Sequence, residues 1–489
     1  MTTLLDSQYL AVGKNGAYAS DGDYQSSPEQ LSQTITYLKE NDIKELTIYF
    51  HGGLVSENSG ASSIKRVIDA ANASSISNHH TMGFVWKTDL MVTLRDNITD
   101  SFNTKFGKTL LKWAIRAVTK RIKSPSTKSA GSSDGISLDD IEKEWEDATR
   151  QKRKPFDGVE AQIVNKTKSA FVDDIEENDE ELLAIIQLEL EECYSEDPNP
   201  LETWGDIPGK VKVSDELNEA FSANEPRVKG AKGLFSTYKI AKAIVKIAAR
   251  VIKRYIKDTD HGLQATVVEE VCRTYYLSDI GQWVWGEMKE KADEMWQQQG
   301  KVGFDFIQKL QGALPDIRLN LVGHSAGSVC VSHLMDRIRQ EQWQIDVNKI
   351  VWWAPACTCE LFEKDIINHQ DDFKAFRMYT MTDSYELDDN LVNSVPWLYP
   401  SSLLYFISGV LESKADYPIA GMERYHSAEK PYTSDMFNNI KSFLSTQDRR
   451  ILSKTDDSAA EGYQSHAIDH GAFDEDHPTL KSLTKFLSV

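Results

Sequence analysis

One stretch constrains this chain more than any other. Residues 316–322, Asp-Ile-Arg-Leu-Asn-Leu-Val, run straight into Gly323-His324-Ser325-Ala326-Gly327 and on into Ser328, Val329 and Cys330. The first part alternates polar and apolar residues with the period of a strand, and the last part begins a helix. Joining the two in so few residues forces a sharp turn, and glycines at its first and fifth positions leave room where a larger side chain would clash. A serine at the top of such a turn stands above the sheet, with the following backbone N–H groups directed at whatever it attacks. Ser325 is therefore the candidate nucleophile. The pentapeptide alone is weak evidence, and the strand before it and the small residues after it supply the weight.

A second glycine-bearing turn lies upstream. Residues 45–50, Glu-Leu-Thr-Ile-Tyr-Phe, read as a strand ending in His51-Gly52-Gly53-Leu54. Two glycines after a strand let the backbone approach a ligand with its N–H groups free, which an oxyanion hole requires. Alone, this would more often be an ordinary turn; its pairing with the downstream serine turn reverses that preference. Gly53, Leu54 and Ala326 are the candidate donors. Around it, Ser27-Pro28-Glu29-Gln30 marks a helix start with a serine cap and a proline in the first turn. A further helix at 61–73 and a strand at 82–87 complete a strand–helix–strand order, and 9–12 reads as a short first strand. That order predicts a mostly parallel α/β sheet.

The pattern then breaks. From about residue 95 to 279 strand signals nearly vanish, and helical periods alternate with polar linkers such as the Ser/Gly-rich 124–135. Residues 173–192 are densely acidic. Two helices are strongly basic: 105–123, and 239–257, where Lys239, Lys242, Lys246, Arg250, Lys253 and Lys257 share one face and Ile240, Ile244, Ile247 and Val251 another. A basic amphipathic helix suits an anionic membrane surface. In a chain of net charge −20 the preferred reading is that these faces meet acidic ones, within the chain or in another subunit. The same net charge opposes general affinity for nucleic acid. No apolar run reaches the length of a membrane span, and the first residues lack the pattern of a signal peptide, so the expected location is cytoplasmic, with peripheral membrane contact as the added option.

Strand signals resume with the nucleophile strand and continue at 348–356, 376–381 and 449–453. A serine hydroxyl needs a base, and the base needs a carboxylate to hold its tautomer. Asp383 follows the strand at 376–381, with Asp389 the main alternative and Asp388 beside it. Among three late histidines, His470, followed by a glycine and an acidic turn, is preferred; His466 comes next, and His477 looks like a helix-start residue. The five cysteines, Cys193, Cys272, Cys330, Cys357 and Cys359, are scattered and read as free thiols. No metal and no cofactor are expected.

His51-Gly-Gly-Leu54, Gly323-His-Ser-Ala-Gly327, Asp383 and His470-Gly-Ala-Phe473 stand in the order seen in the α/β-hydrolase superfamily, and the chain resembles its serine esterase and lipase branch over roughly residues 1–95 and 281–489. The resemblance implies an α/β-hydrolase-type sheet with Ser325 as nucleophile, His470 as base, Asp383 as acid, and oxyanion donors on Ala326 and Gly53 or Leu54. It departs from the family in carrying its large insertion before the nucleophile strand, and in Leu54 where a third glycine would stand. The expected organisation is a core formed by 1–95 and 281–489, interrupted by a helical insertion at 96–280 that serves as lid, membrane element or docking element. The expected function is hydrolysis of carboxylic esters through an acyl-enzyme, with a lipid or phospholipid ester as substrate and a membrane-damaging effector as the biological extension. The alternatives are a catalytically silent scaffold for protein interaction, and a metal-dependent hydrolase built on His466, His470, Asp474 and Asp476. A second copy of the chain or a regulatory protein are the remaining candidate partners.

Overall fold

A computed structural model describes residues 4–488 except 54, 74–75, 87–98, 101, 124–134, 169–176, 178, 194–230, 277, 393–394 and 447. The chain forms two compact units: residues 1–93, 283–389 and 417–489, and residues 94–282 with 390–416.

The first unit is a seven-stranded, wholly parallel sheet in the order β1-β3-β2-β4-β5-β6-β7. Its strands are β1 (Tyr9–Val12), β2 (Glu45–Phe50), β3 (His79–Trp86), β4 (Arg318–His324), β5 (Asp346–Trp353), β6 (Phe373–Met381) and β7 (Arg450–Ser453). All seven fall where the sequence places strands, with ends shifted by a few residues. Every residue of β2 is buried, as is almost all of β4 and β5. Strands covered on both faces are expected to be apolar throughout, and these are.

Helices cover both faces. The helix α1 (Pro28–Glu40) starts as expected, with Ser27 Oγ accepting from Gln30 N–H at 3.2 Å. The helix α2 (Glu57–Asn72) packs on β3, where a Cβ on Gly83 would fall 2.5 Å from Ile64. The next residue, Phe84, points to the other face and meets Trp296 and Phe306. Trp296 is fully buried between the helices Ser278–Glu294 and Val302–Ala313.

From β2 the chain passes to β3 on one side and, after the helical region, to β4 on the other. The carboxyl ends of β2 and β4 are therefore adjacent at the point where the strand order reverses. In open α/β sheets this is where ligands bind.

The second unit is helical among its described residues. Lys105–Lys123 and Glu180–Cys193 both pack on the long helix Ala231–Ile256. The basic positions face acidic partners: Arg116 and Lys120 pair with Glu189, Arg121 with Asp179 at 2.8 Å, Lys112 with Glu142, and Arg250 with Glu177 at 2.9 Å. Residues 124–134 of the linker and 173–176 and 178 of the acidic stretch lie outside the described residues. No helix among the described residues is long and apolar enough to cross a membrane.

One boundary differs from the sequence reading. Residues 390–416, assigned from sequence to the second half of the core, belong to the helical unit. Trp397 stacks on Trp145 with ring centroids 4.4 Å apart, Tyr399 Oη donates to Glu269 at 2.5 Å, and Arg273 donates to the carbonyls of Gly409, Val410 and Glu412. These contacts join residues more than a hundred positions apart, so no local pattern announces them.

Candidate active site

The turn after β4 has the strained form its sequence predicts. Ser325 adopts φ +52°, left-handed backbone that a non-glycine residue rarely takes. Its two glycines have separate reasons. A Cβ on Gly323 would lie 2.8 Å from the Gly327 backbone, and one on Gly327 would lie 2.1 Å from the Phe50 carbonyl oxygen. The turn is also held from β5: Ser325 N–H donates to Trp353 O at 2.8 Å, and Ser325 O accepts from Ala356 N–H, Ser328 N–H and Ser328 Oγ. Ala326 is the N-cap of the following helix, Gly327–Gln340, whose first N–H groups have no partner within the helix.

The loop after β2 lies against this turn. A Cβ on Gly52 would sit 3.4 Å from Ser325 Cβ, and one on Gly53 3.0 Å from Ala326 Cβ. Leu54 lies outside the described residues. His51 sets the loop's path. Its Nε2 accepts from Trp86 N–H at 3.2 Å, so the ring proton is on Nδ1 and donates to Gly52 O at 2.8 Å. Burial pushes His51 down to about 4, which keeps it neutral.

Of the late histidines the structure brings His470 to the serine, with Nε2 2.8 Å from Ser325 Oγ. His466 lies instead beside Asp457, and His477 starts the last helix, His477–Ser488. For Oγ–H to donate, Nε2 must be unprotonated, which puts the ring proton on Nδ1. That Nδ1 is buried and has no hydrogen-bond partner among the described residues. Burial, with a smaller repulsion from His324, pushes His470 down to about 3.

Asp383 does not reach this ring. It opens the short helix Asp383–Asp388 after β6, and its backbone N–H donates to Glu423 at 2.8 Å. The carboxylate bonded to His470 is that of Asp389, the alternative from sequence, whose Oδ2 accepts the backbone N–H of His470 at 2.9 Å.

Sequence reasoning missed the group behind the base. His324, inside the serine motif, donates from Nε2 to the carbonyl oxygen of His470 at 3.0 Å, and its Nδ1 lies 3.6 Å from Asp474 Oδ1. Asp474 is held by Ser63 Oγ and by Arg66, which reaches Oδ2 at 2.5 Å and the carbonyl at 2.9 Å. Burial opposes ionisation of Asp474, but its surroundings, His324, the Ser63 hydroxyl and the Arg66 guanidinium, hold it below the usual carboxylate range. In sequence Asp474 was weighed only as a member of a metal site with His466, His470 and Asp476. Among the described residues no group of three His, Cys, Asp or Glu side chains is arranged to hold a metal ion. Asp476 is instead committed to the N-terminus of the last helix, accepting from Thr479 N–H and Oγ1.

Comparison with known proteins gives no matching family model, no matching curated protein and no matching solved structure, so the site is read from its own geometry.

Proposed function

We propose that this protein is a serine hydrolase that cleaves carboxylic esters through an acyl-enzyme. The observation that carries the reading is the 2.8 Å approach of His470 Nε2 to the hydroxyl of Ser325, on a left-handed turn at the strand-order reversal of a parallel sheet. In the α/β-hydrolase superfamily, which the motif order resembles, the same parts stand at the same place.

In this reading Ser325 Oγ attacks the ester carbonyl carbon as its proton passes to His470 Nε2. The backbone N–H groups of Ala326 and Gly53 receive the developing oxyanion. The imidazolium then returns the proton to the departing alkoxide, leaving an acyl-serine and a free alcohol. Water, deprotonated by the same nitrogen, attacks the acyl carbon and releases the acid. A charge on the buried His470 ring needs a carboxylate at Nδ1. Asp389 is the acid assigned to that task, in preference to Asp383, because it is already bonded to the same residue.

The substrate is assigned as an ester class only. A lipid ester was suggested by the basic helices, and their cations Arg116, Lys120, Arg121 and Arg250 are engaged with acidic side chains. A screen therefore begins with soluble esters and extends to phospholipid vesicles. The test is labelling by a fluorophosphonate, which traps only a serine activated by a base. Wild type is expected to label and both Ser325→Ala and His470→Ala to fail. Wild type that stays unlabelled while folded would remove the hydrolase reading in favour of a silent scaffold.

A further inference from the structure

We propose that His324 and Asp474 are positioning residues that lock the base to the nucleophile turn. Asp474, anchored by Arg66, holds the ring of His324, and that ring holds the main chain of His470. The inference rests on the reading of Ser325 and His470 as nucleophile and base.

The geometry is unusual in where the support is applied. Among the described residues the imidazole of His470 hydrogen-bonds to no side chain besides Ser325, yet its own peptide groups are gripped on both sides. Its N–H goes to Asp389 at 2.9 Å and its C=O takes the Nε2–H of His324 at 3.0 Å. His324 immediately precedes the nucleophile in sequence, so a displacement of the serine turn moves the donor that fixes the histidine. The distance between Oγ and Nε2 is thereby set within one short covalent span plus one hydrogen bond. This matters because His470 sits in a long loop, residues 454–476, that returns from β7 at the sheet edge to β4 near its centre.

His324 needs a fixed ring to do this, and its surroundings provide one. Trp353 and Phe473 both meet it edge-to-face at 6.3 Å. Its would-be neighbour across the site, a Cβ on Gly52, would lie 3.9 Å from Nδ1, so the ring also borders the loop after β2. The titratable and charged groups around it are Asp474 with Arg66 behind, His470 with ring centroids 5.8 Å away, and His51. Asp474 is 4 % exposed and is further tied to α2 through Ser63, whose hydroxyl stands 2.9 Å from Tyr49 Oη. The chain Arg66–Asp474–His324–His470 thus links α2, the base loop and the nucleophile turn.

The experiment compares fluorophosphonate labelling rates of the full-length wild type, Ser325→Ala, His324→Leu, His324→Gln and Asp474→Asn near neutral pH, with circular dichroism confirming the fold of each. Loss of the His470 clamp is expected to slow labelling of His324→Leu about a hundredfold, the scale of a misplaced catalytic group. Glutamine retains an N–H for the His470 carbonyl and is expected to recover most of that rate. A merely structural role for His324 gives no reason for glutamine to recover the rate that leucine loses. A folded His324→Leu that labels at the rate of wild type overturns the proposal. Should His324→Leu not fold, Asp474→Asn decides, with a slowed rate expected and an unchanged rate overturning. Wild type that labels no better than Ser325→Ala overturns the hydrolase reading itself and this inference with it.

Discussion

Replacing Asp389 by asparagine tests how the base is supported, and the structure sets the size of the effect. Asparagine keeps an oxygen for the His470 backbone N–H, so the loop is expected to hold while the charge is lost. Burial pushes His470 from an ordinary 6.5 to about 3, with no hydrogen-bond partner at Nδ1 among the described residues. At 1.36 kcal/mol per pH unit, a charge on that ring costs ~5 kcal/mol more than in water. A carboxylate that turns toward Nδ1 during the reaction offsets most of this cost, and an asparagine does not. The expected loss is about a thousandfold to ten-thousandfold in rate, since each 1.36 kcal/mol is a factor of ten. Asp383→Asn is expected to stay within about threefold, as a substitution away from the reacting groups. The assay is the release of p-nitrophenol from an activated ester at pH 8, supported by the second-order rate of fluorophosphonate labelling. A thousandfold loss in Asp383→Asn beside near-normal Asp389→Asn would refute the assignment and return the acid to Asp383.

Stability is expected to fall on the acid side: burial pushes His51 and His426 down to about 4 and His470 to about 3, while the unfolded chain takes up the proton near 6.5. The unfolded state then binds more protons below pH 6.5, each histidine costs ~2 kcal/mol by pH 5, and the urea midpoint should drop between pH 7.5 and 5 and change little above 7; an unchanged midpoint would contradict the neutral buried rings. In the helical unit, Glu269→Gln leaves the fully buried Arg254 without its 2.5 Å partner and is expected to cost about 3–5 kcal/mol. Glu142→Gln, at an exposed pair, should cost less than about 1 kcal/mol, and equal losses in thermal unfolding would refute the distinction. Gly327→Ala drives a Cβ into the Phe50 carbonyl and should abolish labelling together with folded yield, whereas Gly312→Ala, in a helix with open space around it, should stabilise by about 0.5–1 kcal/mol.

Local chemistry made much of this protein legible without coordinates. The seven strands carry β-branched and aromatic runs bounded by turn residues, and the serine turn needs glycine at two defined positions, so both can be read one segment at a time. The same holds for Ser325 and for the Ser27 cap, whose determinants lie within a few residues of each other. Of the three late histidines, His470 was preferred from sequence for the glycine and acidic turn that follow it, and it is the one the structure brings to Ser325.

What only the tertiary structure decided are relations between distant segments. Asp383 and Asp389 are both acidic residues just past β6, and nothing within that segment tells which one lies against a loop some eighty residues later. The buried cluster of Arg254, His261, Glu269, Tyr399 and Asp416 draws residues 390–416 into the helical unit, although their own sequence reads as an aromatic continuation of the core. Asp474 was weighed as a metal ligand beside the His466 and His470 pair, and the fold places it against His324 and Arg66. In the last two cases the deciding term is the burial of a charge, whose cost depends on which opposite charge the fold brings within a few ångströms, and sequence spacing does not encode that distance.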